Sequence, residues 1–153
     1  AHLVDMYEST YKDIPHKFEA GTPVIAEVIA FNEAVKFYLE NDLSGLFSKE
    51  IELKNYLINQ LEKIDDVIIY NKNAAGAIVT LNIKGIHPHD AASILDQENV
   101  YVRAGHHCAQ LVNKKLEVVS TLRVSFGIYN IKDDCNKFIE AIKKAIEFFK
   151  QFG

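Results

Sequence analysis

Two cysteines, Cys108 and Cys135, are all that this 153-residue chain carries. They are too few for a disulfide scaffold and fit a reducing, cytoplasmic setting. No apolar run approaches the roughly 18 residues a membrane span needs, and the opening residues do not resemble a signal peptide. A basic surplus is missing too: 17 Lys and Arg against 21 Asp and Glu leave a net charge of −4. Nucleic acid is therefore disfavoured as a main partner, because phosphate binding needs a concentrated basic surface. Repeats, low-complexity tracts and long Pro/Gly/Ser linkers are absent. What is present is ordinary globular composition, 48% apolar and 25% charged, in a chain long enough to bury roughly 70% of its unfolded surface as one domain. The chain starts at Ala1 and its single methionine is Met6, as expected of a processed protein or a piece of a longer one.

Hydrophobic periodicity sets the expected elements. The segment up to Phe18 reads as loop with one helical turn. Thr22-Pro23 is expected to open a helix, with threonine as N-cap and proline in the first turn, where its missing N–H costs nothing. Val24, Val28, Phe31, Val35 and Tyr38 then follow at helical spacing as far as Asn41. Ser44-Gly45 is expected to break the chain before a second helix from about Ser48, with Leu53, Leu57, Leu61 and Ile64 on one face. Val67 to Tyr70 reads as a strand. Val79, Leu81 and Ile83 alternate with Ile78, Thr80 and Asn82 in the next one. His87-Pro88 starts a short helix ending near Gln97. Val100 to Arg103 is a third strand, Ala104 to Glu117 a loop, and Leu122, Val124 and Phe126 alternate with Thr121, Arg123 and Ser125 in a fourth. Asn130 is expected to cap a final helix whose buried stripe is Cys135, Phe138, Ile139, Ile142, Ile146 and Phe149. The pattern predicts an α+β fold, a small and largely antiparallel sheet with helices packed on one face, preceded by a long linking helix.

The densest chemistry lies in Arg103-Ala104-Gly105-His106-His107-Cys108-Ala109-Gln110. The thiolate is the reactive form of cysteine, and positive charge nearby favours it; an arginine and two histidines stand within five residues of Cys108. Cys135 is the contrast, a small hydrophobe on an apolar helical stripe. Three readings of the loop stay open on spacing alone. Cys108 is a nucleophile in a basic neighbourhood, or His106, His107 and Cys108 ligate a metal with His87 or His89, or the histidines merely solvate a surface loop. Adjacent ligands rarely converge on one ion, and neither Cys-x-x-Cys nor a helical His-x-x-x-His is present.

Four motifs in order resemble the SufS-type cysteine desulfurases, the group II branch of the NifS-like, class V aminotransferase fold. They are Phe18-Glu19-Ala20-Gly21-Thr22-Pro23, Gly85-Ile86-His87-Pro88-His89-Asp90, the octapeptide at 103–110, and Arg123-Val124-Ser125-Phe126 followed by Tyr129-Asn130. The resemblance implies the small domain of a pyridoxal-phosphate (PLP) enzyme of fold type I. Residues 1–23 would end the large domain, 24–45 form the linking helix, and 46–153 form the small domain with the cysteine loop. It implies sulfur transfer from L-cysteine to a persulfide on Cys108, leaving L-alanine, for iron–sulfur cluster assembly. Arg123 would bind the substrate carboxylate and Arg103 would line the same pocket. Thr22, with Gly21, would contact the cofactor phosphate across a homodimer interface. His106, His107 and His89 would face a sulfur acceptor of the SufU or SufE type, and His89 resembles a histidine that approaches the acceptor's zinc. No metal is expected to belong to the chain itself. Leu111 and His16 depart from the family's usual proline and tryptophan.

The family's cofactor-bearing lysine lies upstream of the segment resembling Phe18 to Pro23, and nothing in this chain matches it. The chain alone is therefore expected to hold no PLP and to turn over no cysteine. Selenocysteine lyase, an activity of the same family, and a non-catalytic thiol- or metal-binding module remain the alternatives.

Overall fold

In the computed structural model, which describes residues 2–152, the chain divides into two units, one ending at Asp42 and the other starting at Leu43. The first opens with a hairpin of β1 (Leu3–Val4) and β2 (Ser9–Thr10), paired antiparallel. Strands of two residues are too short to show alternation, which is why a loop was expected there. A single 3₁₀ turn at His16–Phe18 supplies the expected helical turn. Helix α1 spans Ile25–Glu40, with Val24 as its N-cap and no side-chain cap. Thr22 and Pro23 thus precede the helix rather than opening it. The backbone turns first, with the Ile25 N–H donating to the Pro23 carbonyl at 2.9 Å. At the other end Asn41 is the C-cap, and its Nδ2 donates to the Phe37 carbonyl at 2.6 Å. The apolar side chains of α1 all lie exposed.

The second unit begins with α2 (Leu43–Leu61). Ser44 and Gly45 sit in its first turn instead of breaking the chain; the break falls at Asn41–Asp42. Glycine costs about 1 kcal/mol in a helix interior, little beside the buried Leu53, Leu57, Ile58 and Leu61 that hold the helix to the core. Then follow β3 (Val67–Ile69), β4 (Ile78–Ile83), α3 (Pro88–Gln97), β5 (Arg103–Gly105), α4 (Gln110–Lys115), β6 (Thr121–Ser125) and α5 (Lys132–Phe152). The strands form one antiparallel sheet in the order β3-β4-β6-β5. Helices α2 and α3 pack on α5 and on the sheet, giving the α+β architecture that the sequence predicts.

One face of the sheet is the core. Val79, Leu81 and Ile83 of β4 and Leu122 of β6 are buried with Leu57, Leu61, Leu95, Phe138 and Ile142 from the helices. Each such side chain contributes about 1.5–3 kcal/mol by leaving water. Helix α5 buries the expected stripe, except that Phe149 is only half-buried. Its start differs from expectation. Asn130 does not cap it: its Oδ1 accepts from the Gly127 N–H at 2.8 Å, while Asp134 reaches back to the Ile131 N–H at 3.0 Å. That bond, and a second from Asn130 Nδ2 at 3.1 Å, hold the Asp134 carboxyl below its ordinary 3.8.

Two expectations in the middle of the chain are corrected. The third strand is shifted to Arg103–Gly105, because Ala104 and Gly105, poor strand formers, are held by pairing with Leu122 and Thr121. The expected loop after Ala104 also contains α4, six residues with Ala109 as an N-cap that makes no side-chain bond, too short to show a helical period.

Candidate active site on the open face of the sheet

Alternation along β6 sends Leu122 into the core and turns Arg123 to the opposite face. There Arg123 lies between two cross-strand partners, Thr80 on β4 and Arg103 on β5. Like charges directly opposite each other destabilise a sheet, and a guanidinium cannot shed its charge. The Nε of Arg123 is also enclosed without a hydrogen-bond partner. Two cations side by side with an unsatisfied donor between strands form a receiving site for an anion, and the guanidinium fork suits a carboxylate.

Beyond β5 the chain makes a tight turn. The Ala109 N–H donates to the His106 carbonyl at 2.8 Å, and the two residues inside, His107 (φ 53°) and Cys108 (φ 57°), both have positive φ. This is the signature of a type I′ turn, which favours Asn-Gly. A histidine and a cysteine there cost about 1 kcal/mol each. The turn carries Cys108 into solvent. An open basin of about 600 Å³ lies around it, lined by Arg103, His106, His107 and Leu111 among others. Leu111 stands in the first turn of α4, so the chain after Gln110 is helical.

His107 points the other way, into the sheet. Its Nε2 lies 3.0 Å from the Thr121 carbonyl and 3.1 Å from Thr121 Oγ1. A carbonyl only accepts, so Nε2 carries the proton; Nδ1 is enclosed without a partner. Burial, and then the charges of Arg123, Arg103 and His106, push His107 below its ordinary 6.5 against the opposing effect of the Thr121 bond. The expectation that His107 adds positive charge beside Cys108 is thereby corrected, and Arg103 lines the basin around the thiol. Thr121, which is almost fully buried, was missed as a site residue. Its only sequence signal was sharing a strand face with Arg123.

Cys135 is sealed in α5, its Sγ 3.8 Å from the Leu53 carbonyl. Burial, with the Asp134 carboxylate behind it, pushes its thiol up to about 11. His87 is the N-cap of α3, its Nδ1 accepting from the His89 N–H at 3.3 Å, with the two rings stacked 5.5 Å apart. His89 lines a separate groove with Val102 and Ala104, not the basin around Cys108. Among the described residues no three His, Cys, Asp or Glu side chains gather as a metal site, and no described helix is long and apolar enough to cross a membrane. Gly21 (φ 76°) and Thr22 belong to the first unit. Thr22 is exposed, and its hydroxyl is not used to cap α1. A free hydroxyl on a glycine turn three residues before a helix fits one edge of a phosphate.

This fold and this site define a class: the chain belongs to the class V aminotransferase family, which it matches over residues 1–138. Within that class its similar proteins are cysteine desulfurases. A probable cysteine desulfurase of Staphylococcus epidermidis is 46% identical over 150 residues, covering 96% of this chain and 36% of that protein. One from Halalkalibacterium halodurans is 40% identical over 147 residues, with the same coverage of 96% and 36%. Among solved structures, the cysteine desulfurase CsdA of Escherichia coli, in its S-sulfonic acid form, matches with a TM-score of 0.85 at 29% identity. That match covers 96% of this chain and 37% of CsdA. The apo cysteine desulfurase of Thermococcus onnurineus matches with a TM-score of 0.80 at 32% identity, covering 94% of this chain and 36% of that one. The chain therefore spans about a third of the length of these relatives.

Proposed function

We propose that this chain is the C-terminal part of a SufS-type, PLP-dependent cysteine desulfurase. As a cytoplasmic homodimer, the whole enzyme moves sulfur from L-cysteine to Cys108 and then to an acceptor of the SufU or SufE type for iron–sulfur cluster assembly. The observation that carries this reading is the Arg103–Arg123 pair, two facing cations, one with an enclosed and unpartnered Nε, on the sheet face whose edge strand runs into the exposed Cys108 turn. An amino-acid carboxylate suits the paired guanidinium groups, and the amino acid's side-chain sulfur is then delivered to the thiol.

In this reading Arg123 grips the substrate carboxylate and Arg103 adds charge at the mouth of the site. The Cys108 thiolate attacks the substrate sulfur. A sulfur–sulfur bond forms as the carbon–sulfur bond breaks, the electron pair stays with carbon, and a proton completes L-alanine. Bound PLP supplies the electron sink that makes that cleavage feasible, its phosphate held by Thr22 with Gly21. His106 and His89, both exposed, face the acceptor.

The test is Cys108→Ser in the full-length enzyme. The variant is expected to keep the cofactor's absorbance band and to form no protein persulfide from L-cysteine. Loss of the cofactor band, or persulfide formation undiminished, overturns the assignment.

A further inference from the structure

Cys108 occupies a backbone position that the residue itself disfavours. It is the second central residue of a turn with positive φ at both central positions, where glycine normally stands, and it is preceded by a histidine under the same constraint. Neither residue is held in place by burial of its own, since Cys108 is exposed and His107 only half-buried. Within the turn one backbone hydrogen bond closes the loop, from the Ala109 N–H to the His106 carbonyl. From within the turn, the His107 side chain ties it to the sheet. It crosses from the turn to the central strand β6 and ends on the carbonyl and hydroxyl of Thr121, a residue immobilised by almost complete burial.

We infer that His107 is a positioning residue: by donating from Nε2 to the Thr121 carbonyl, it holds the 106–109 turn in the left-handed conformation that presents the Cys108 sulfur. The inference rests on the reading of Cys108 as the sulfur-accepting thiol, and it takes His107 away from the acceptor-facing surface. Three further observations support it. Thr121 lies two residues before Arg123 on the same strand face, so the tie locks the turn to the element that carries the anion site. The tie leaves Nδ1 enclosed and unpartnered, which suits an uncharged ring fixed by a single nitrogen. The same ring is displaced below its ordinary value near 6.5, so it remains a neutral anchor at neutral pH.

Two substitutions separate this role from mere tolerance of the backbone. Asparagine is among the residues best able to adopt positive φ, but its amide ends about where Nδ1 stands and does not reach Thr121. Glutamine tolerates positive φ less well, yet its amide nitrogen reaches about as far as Nε2. Hydrogen exchange of the Ala109 amide in the 153-residue chain reads the turn directly. His107→Gln is expected to stay within about threefold of the parent, while His107→Asn and His107→Ala exchange roughly tenfold faster, the loss of one hydrogen bond. Thermal unfolding of all three, followed in parallel, identifies any variant that fails to fold; the Gln–Asn comparison is read between folded chains. Equal exchange in the Gln and Asn variants, or faster exchange in Gln than in Asn, overturns the proposal. None of these readouts uses cysteine or cofactor, so failure here leaves the persulfide test of Cys108 standing, and failure there leaves the turn anchored.

Discussion

Leu122 and Arg123 are neighbours in β6, yet one is completely buried among the apolar side chains of the core and the other stands half-buried on the opposite face with an enclosed, unpartnered Nε. The two cysteines repeat the contrast. Cys135 is sealed in α5, its thiol raised to about 11, while Cys108 is exposed at positive φ on a turn. On the helix-covered face apolar side chains are buried against one another, so that face supplies stability. On the open face two cations face each other and a cysteine sits where glycine belongs. Those features oppose stability, and they persist because the core holds β6 and β4 in register. The largest predicted effect follows from the cysteines. A thiol near 11 is ionised to about one part in a thousand at pH 8, and reaching it also requires α5 to open locally. Iodoacetamide followed by mass spectrometry is expected to label position 108 at least roughly a thousandfold faster than position 135. Comparable rates would erase the distinction between the faces.

Mutating adjacent residues of one strand sharpens the comparison at a smaller scale. Leu122→Ala leaves a cavity in the core and is expected to lower unfolding stability by about 2–5 kcal/mol, read from the denaturant midpoint. Arg123→Gln removes a cation facing Arg103 and should change that midpoint by no more than about 1 kcal/mol in either direction. In the full-length enzyme the order reverses. On the proposed role of Arg123, loss of its double hydrogen bond to the substrate carboxylate is expected to lower kcat/KM for L-cysteine by roughly tenfold to a hundredfold, mostly through KM. An Arg123→Gln chain as unstable as Leu122→Ala would mean that Arg123 belongs to the scaffold.

Where periodicity ran long enough, the sequence was legible. The alternation of Val79, Leu81 and Ile83 located β4 and its inward face, the spacing from Cys135 to Ile146 located α5, and Pro88 marked the start of α3. Short or contextual elements were not. The hairpin strands have two residues each and α4 has six, and Gly105 is a strand residue only because Thr121 pairs with it. The start of α1 misled because Thr-Pro is a sound local signal that the backbone passed over before entering the helix at Ile25. At the site, the basic neighbours of Cys108 drew attention to it without deciding among three readings, and Arg123 was singled out by its motif's resemblance, its strand position showing only that it lies opposite the apolar face. The facing of Arg103 and Arg123 could not, because register is set by the whole sheet. The His107 tie was equally hidden, since its partner lies 14 residues away, in a different element.

The smallest effect concerns protons on the open face. Burial and the two arginines hold His107 below its ordinary 6.5, so between those two values the folded chain binds fewer protons than the unfolded chain. Stability then rises with pH across that window. The contribution is fully present above about 6.5 and is lost as pH falls below it towards the depressed folded value. Asp66 and Asp134, displaced below 3.8, act only in more acid solution, and Lys144, displaced above 10.5, only in more alkaline solution. Denaturant midpoints at about pH 7.5, 6.5 and 5.5 are therefore expected to fall towards the acid end in the parent chain. In His107→Gln, which keeps a donor to Thr121 but cannot titrate, this part of the slope is expected to disappear. An identical slope in the two chains would place the proton uptake elsewhere, and a steeper one in the variant would mean that His107 is charged when folded. In that case the open face would hold three cations, His107, Arg103 and Arg123, rather than two and a neutral anchor.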